Sequence, residues 1–109
     1  MIIDVGRDYS PFPGGRVRED GPFNGQEFRE DVLMPALLAA DHVVIVIDSA
    51  KGYGSSFLEE AFGGLVRNGG FSLSELKEKL EIRFTNPGFK FFYDDVWQYI
   101  ADAEKAKAH

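Results

Sequence analysis

The stretch from Asp48 to Arg67, DSAKGYGSSFLEEAFGGLVR, comes nearest to a site by residue type and spacing. An apolar run ends at Ile47, a loop with Gly52 and Gly54 follows, and Ser55 and Ser56 meet the start of a helically patterned segment. Free backbone amides at a helix start favour an anion, so a phosphate on either serine would sit in that field. It would also add about two negative charges to the surface. Ser56 followed by Glu59 reads as S-x-x-E, a capping box. That spacing assigns Ser56 to the N-cap and leaves Ser55 one residue outside, exposed and free to be modified. An alternative use of the same segment is to hold an anionic small ligand or nucleotide on Gly54, Ser55 and Ser56. Arg16, from the turn-forming Pro11–Arg16 (PFPGGR), would then lie nearby.

Other chemistry has poor support. The chain has no Cys, which removes thiolate metal sites, disulfides and cysteine catalysis. A serine nucleophile needs a base, and His42 is the only histidine besides the terminal His109. His42 precedes the strand whose far end delivers Ser55, and five extended residues span roughly 17 Å. The carboxylate pairs Glu59-Glu60 and Asp94-Asp95 are adjacent in sequence, so on a helix the two members diverge. Gly52-Tyr53-Gly54 is too short for a dinucleotide fingerprint or a P-loop. The expectation is a domain without catalytic turnover, cofactor or metal.

The elements that must position this segment follow from periodicity. Met1 to Val5 reads as a short strand, and Arg16 to Arg18 as a second strand paired with it. Asn24, with Glu27 three residues on, opens a helix to Ala40 whose pattern is broken at Pro35, where a kink is expected. Val43 to Ile47 is β-branched without polar alternation, which fits a central strand buried on both faces. Helices over Ser56 to Arg67, Ser72 to Leu80 and Phe91 to Lys105 follow, with a strand over Glu81 to Phe84. The alternation implies parallel strands joined by right-handed crossovers. The expected architecture is α/β: a small mixed four-stranded sheet with helices packed against it. One domain covers 1–109, with about 101–109 a fraying tail.

The two motifs SPFPGGRVREDGPFNGQEFRED and GYGSSFLEEAFGGLVR, with VVIVID before the second, resemble the STAS-like domains of unknown function (DUF4325 family). Those are distantly similar to anti-sigma factor antagonists. There, a serine at a helix start is phosphorylated by a partner kinase that is also the anti-sigma factor. The resemblance places Ser55 at the phosphorylated position and implies a histidine-kinase-type ATPase as partner. Gly54 and Phe57 depart from that motif, standing where an acid and a glycine would be.

Composition agrees with a binding role. Lys and Arg number 12 against 18 Asp and Glu, giving a net charge of −6 without a basic cluster, which disfavours nucleic acid. No apolar run approaches a membrane span and no signal-peptide pattern opens the chain, so a cytoplasmic, regulatory, protein-binding domain is expected. The residues expected to meet the partner are Tyr53, Gly54, Ser55, Glu59, Glu60, Gly63, Gly64 and Arg67. Glycines at 63 and 64 cost helix stability, roughly 1 kcal/mol each against Ala, and a close backbone approach would explain them. The aromatic series Phe89, Phe91, Phe92, Tyr93, Trp97 and Tyr99 exceeds what one helix face can bury, leaving some of it for docking.

Overall fold

In the computed structural model, which describes residues 1–107, three strands form one parallel sheet in the order β1 (Ile2–Asp4), β2 (Val43–Val46), β3 (Leu80–Arg83). Register is set by Ile3 opposite Ile45 and Ile45 opposite Ile82. Five helices accompany the sheet: α1 (Val5–Asp8), α2 (residues 25–39), α3 (residues 55–67), α4 (Leu73–Lys79) and α5 (Lys90–Lys107). Strand order 1-2-3 with right-handed crossovers sends both connections to the same side of the sheet. The side chains of Ile3, Val43, Ile45, Leu80 and Ile82 are accordingly buried. On the opposite face Ile2 and Arg83 are exposed.

Val43 to Ile47 is thus the central strand that its β-branched run implied, but not one covered on both faces: Val43, Ile45 and Ile47 are buried under the helices, while on the other face, which no crossover covers, Val44 is buried and Val46 only half-buried. The sheet, however, has three strands and is wholly parallel, not four-stranded and mixed. The missing strand is the one expected at Arg16 to Arg18. The Asp20 carboxylate accepts from the amides of Arg16 (2.9 Å) and Val17 (3.0 Å), and residues Arg18–Asp20 close into a 3₁₀ turn. The carbonyls of Gly15 and Arg16 accept instead from Gly25 and Gln26, two of the first amides of α2. With its polar groups spent on a side chain and a helix end, this backbone has none left for a ladder.

Asn24 caps α2 as expected, its side chain accepting from Glu27 N at 2.8 Å. The Glu27 carboxylate reaches one residue further back than a capping box, to the amide of Phe23. Helix α2 changes pitch before Pro35: Arg29–Leu33 is a π turn, with Met34 N–H bonded to Arg29 O. Proline lacks a donor and crowds the carbonyl four residues back, and a widened turn accommodates both. Helix α3 carries a matching π turn at Glu59–Gly63, and the two turns face each other. Between them and the sheet lie Phe28, Phe57 and Phe62, all buried, with Phe28 5.7 Å from Phe57 and 6.3 Å from Phe62. Each contributes roughly 2–3 kcal/mol by burial.

Ser72 opens α4 with a reciprocal capping box to Glu75. Helix α5 is longer than its pattern suggested: it runs to Lys107 with Ala103 buried, so the tail expected to fray from about 101 is helical as far as the described residues go. Residues 108–109 of that tail, including His109, lie outside them.

Candidate functional site

The loop after β2 is held by the two other loops at the same end of the sheet. Asp48 accepts from Thr85 N (2.6 Å), Thr85 Oγ1 (3.1 Å) and Asn86 N (2.9 Å), all beyond β3. Burial pushes the Asp48 carboxyl up, and these hydrogen bonds more than offset it, leaving it below the usual carboxylate range. Ser49 Oγ accepts from Gly6 N beyond β1 (2.8 Å), and Lys51 N donates to Pro11 O (2.8 Å). A Cβ on Gly6 would lie 2.3 Å from Ser49 O, so only glycine admits this approach. Tyr53 turns its ring inward and donates to Ile47 O at 2.7 Å; burial raises its phenol well above the ordinary value.

This rigid loop delivers Gly54, Ser55 and Ser56, all exposed, to the start of α3. Gly54 is the N-cap (φ −76°, ψ 149°), Ser55 the first helical residue and Ser56 the second. Ser55 is accessible, as expected. The capping role expected of Ser56 is not there, because the helix begins one residue earlier and Ser56 already has helical geometry. No side chain caps this end.

Glu59 is unavailable for a capping box because it is claimed elsewhere. Its carboxylate accepts from Arg16 Nη1 (2.5 Å) and from Arg67 Nη1 (2.8 Å) and Nη2 (3.2 Å). Burial pushes Glu59 up, but the two guanidiniums prevail and hold it below its usual range. Glu60 meets Arg29 Nη1 at 2.5 Å, with Arg16 Nη1 at 3.3 Å from its other oxygen. Arg29, whose side chain is 4% exposed, also donates to Glu60 O at 2.7 Å. Three arginines and two glutamates thereby join the PFPGGR turn, α2 and α3 into one network. Arg16 is consumed by it, so the cation expected beside Gly54–Ser56 for an anionic ligand is already paired.

The glycines have the same explanation. A Cβ on Gly64 would press on the Arg29 guanidinium and lie 3.0 Å from its Cδ, and one on Gly63 would meet Glu59 Oε2 at 2.7 Å and Tyr99 O at 3.4 Å. Both residues are buried. The close approach they permit is internal, to Arg29 and α5, and not to a partner. Of the eight residues expected to meet a partner, Gly54, Ser55 and Arg67 are exposed. Tyr53, Glu59 and Glu60 are half-buried and occupied.

Two exposed aromatics flank the loop instead. Phe12 is 72% exposed beside Pro11, the residue bonded to Lys51. Phe91 is 59% exposed and contacts Phe92 (4.4 Å between centroids), which packs edge-on against Tyr53 at 5.4 Å. Phe91 belonged to the aromatic excess noted in the sequence. Phe12 was hidden in a motif that reads as a turn, and nothing in its sequence neighbourhood signals exposure. The other aromatics of that series, Phe89, Phe92, Tyr93, Trp97 and Tyr99, pack against the core. His42 lies at the opposite end of β2, 3.5 Å from Glu81, and cannot serve Ser55 as a base. Among the described residues no cluster of three or more His, Asp or Glu could hold a metal ion, and no helix is long and apolar enough to cross a membrane.

A family model described as a STAS-like domain of unknown function (DUF4325) matches residues 24–88, more than half of the chain. The match starts at the cap of α2 and takes in β2, α3, α4 and β3. No curated protein and no solved structure matches the chain.

Proposed function

The chain belongs to the STAS-like domain family of unknown function (DUF4325), and from that premise we propose that it is a non-enzymatic regulatory module that binds another protein through the end of the sheet where Ser55 stands. The observation that carries this reading is that two exposed large side chains, Phe12 next to the residue bonded to Lys51 and Phe91 stacked on the Phe92 that packs on Tyr53, adjoin the loop that leads into the accessible Ser55 at the helix start. Aromatics in such a position supply most of the affinity of a docking patch. A phosphate on Ser55 would be tolerated by the uncapped amides of α3 while placing about two negative charges among those aromatics. Modification would therefore leave the fold intact and disrupt docking.

The similarity to anti-sigma factor antagonists supports a partner that is itself a kinase of the histidine-kinase type, with Ser55 as its target. Strand order 1-2-3 weighs against a small ligand, because a sheet without a reversal of order has no switch-point crevice at its carboxyl end. Mass spectrometry of the protein recovered from its own cells tests the switch. Phosphate on Ser55, absent from the partner-bound fraction, is expected. A partner captured equally well by wild type and Ser55→Asp, or by wild type and Phe12→Ser/Phe91→Ser, refutes the reading.

A further inference from the structure

The outer edge of β3 is the place where the sheet stops with backbone hydrogen-bonding groups that no further strand pairs. Ile47 N donates to Arg83 O at 3.0 Å, so the polar groups of Arg83, and of Glu81 two residues earlier, point at β2. Alternation along a strand sends those of Leu80, Ile82 and Phe84 outward. Leu80 N is taken by Leu76 O, which leaves Leu80 C=O, both groups of Ile82 and Phe84 N–H along the edge. The opposite edge is closed early: Asp4 N is bound by the Asp8 carboxylate at 2.8 Å, and the chain turns into α1 at the next residue. Beside the β3 edge runs a groove of about 800 Å³, walled by half-buried Tyr93 and Trp97 of α5 and closed at one end by Leu73 and Lys77 of α4.

We infer that this edge pairs with the β3 edge of a second copy of the chain, antiparallel about a two-fold axis at Ile82, to give one six-stranded sheet. The side chains of β3 are self-complementary in that register and in no neighbouring one. Ile82 faces Ile82 of the second copy, and the two exchange both backbone hydrogen bonds, as outward-pointing residues do. Glu81 then faces Arg83 of the second copy, and Arg83 its Glu81, on the exposed face. Leu80 faces Phe84 on the core face. Within one chain Glu81 pairs with Arg83 at 2.9 Å and also lies 3.5 Å from His42 Nε2, and the Glu81 and Arg83 side chains are 44% and 47% exposed, so the Glu81–Arg83 pair can exchange partners. A parallel pairing would set Glu81 against Glu81, and pairing β3 with β1 would propagate without closing. The two-fold arrangement also brings the two grooves together, so that Tyr93 and Trp97 of both copies close over each other. Four strand residues alone cover too little surface for a lasting dimer, and the aromatic walls supply the remainder.

Sedimentation of the full chain from about 1 µM to about 500 µM, the range that so small an interface calls for, is the test. Wild type is expected to pass from one chain's mass to two. Glu81→Arg or Arg83→Glu alone places like charges opposite each other at both cross-strand positions and should weaken the dimer roughly tenfold. Mixing the two single variants restores two complementary pairs and should recover wild-type affinity as a heterodimer, and the double variant E81R/R83E should recover it alone. Glu81 is half-buried and Arg83 exposed, with both side chains reaching solvent, and circular dichroism melts confirm that each variant is folded. Amide exchange at Ile82 should slow as concentration rises. A wild type that stays monomeric over the whole range overturns the inference, as do single variants that dimerise like wild type.

Discussion

Replacing Gly64 with Ala separates the two accounts of the glycine pair. In a helix the substitution by itself stabilises by about 1 kcal/mol, so an exposed Gly64 waiting for a partner would become more stable as Ala. Here the new Cβ lies 3.0 Å from Cδ and Cζ of Arg29 and nearer still to Nη1. The guanidinium has little room to yield, being 4% exposed and bound to Glu60 O at 2.7 Å and to its carboxylate at 2.5 Å. Displacing it breaks a buried ion pair, which costs about 3–5 kcal/mol. The net expectation is a loss of about 2–4 kcal/mol, after crediting about 1 kcal/mol of propensity. For a domain of this size a loss of 2 kcal/mol lowers Tm by about 8–10 °C. Urea denaturation of wild type, G64A, R29M and R29M/G64A closes a double-mutant cycle. In the R29M background the anchored guanidinium is gone and the side chain at 29 is free to yield, so G64A should become neutral or stabilising by up to about 1 kcal/mol. A G64A protein more stable than wild type, or one that loses the same amount in both backgrounds, refutes the internal role of Gly64.

Ser55→Asp should melt within about 1 kcal/mol of wild type, on the stable side, because a carboxylate at the first turn of α3 meets free amides; thermal melts check this alongside partner capture. Ser56→Ala should change stability by less than about 0.5 kcal/mol in the same melts, since Ser56 is inside the helix and caps nothing, whereas Ser72→Ala should cost about 1 kcal/mol by removing the α4 cap. Asp48→Asn should destabilise at neutral pH. The folded carboxyl is held below its unfolded value, so its contribution is present above the unfolded value of about 4 and is lost as pH falls through the lower folded one. Urea midpoints of wild type and Asp48→Asn should therefore converge as pH is lowered through that window, and a gap that stays constant would show that the ionised form of Asp48 does not matter.

Much of the scaffold was legible because it depends on local pattern. The unbroken β-branched run at Val43–Ile47 marked the central strand, Asn24 marked the start of α2, and the apolar spacing of α3 marked its buried face. These features need only a period and a cap. Local pattern failed where groups distant in sequence compete for the same atoms. Ser56-x-x-Glu59 is a sound capping box until Arg16 and Arg67 claim the glutamate, and Arg16 is a plausible anion ligand until Glu59 and Glu60 claim it. Arg16 to Arg18 has strand composition, but Asp20 and the first amides of α2 take its backbone groups. The sequence by itself determined an α/β domain with a buried parallel strand, a glycine-containing loop beyond it and a serine at a helix start, because propensity, periodicity and turn chemistry act over a few residues. Tertiary structure alone decided that the Gly63-Gly64 pair serves Arg29 and α5, that Phe12 and Phe91 remain outside, and that the sheet ends at three strands. Each of those depends on which side chains from remote segments arrive first at a buried charge, an open edge or a free amide, and no local spacing encodes that.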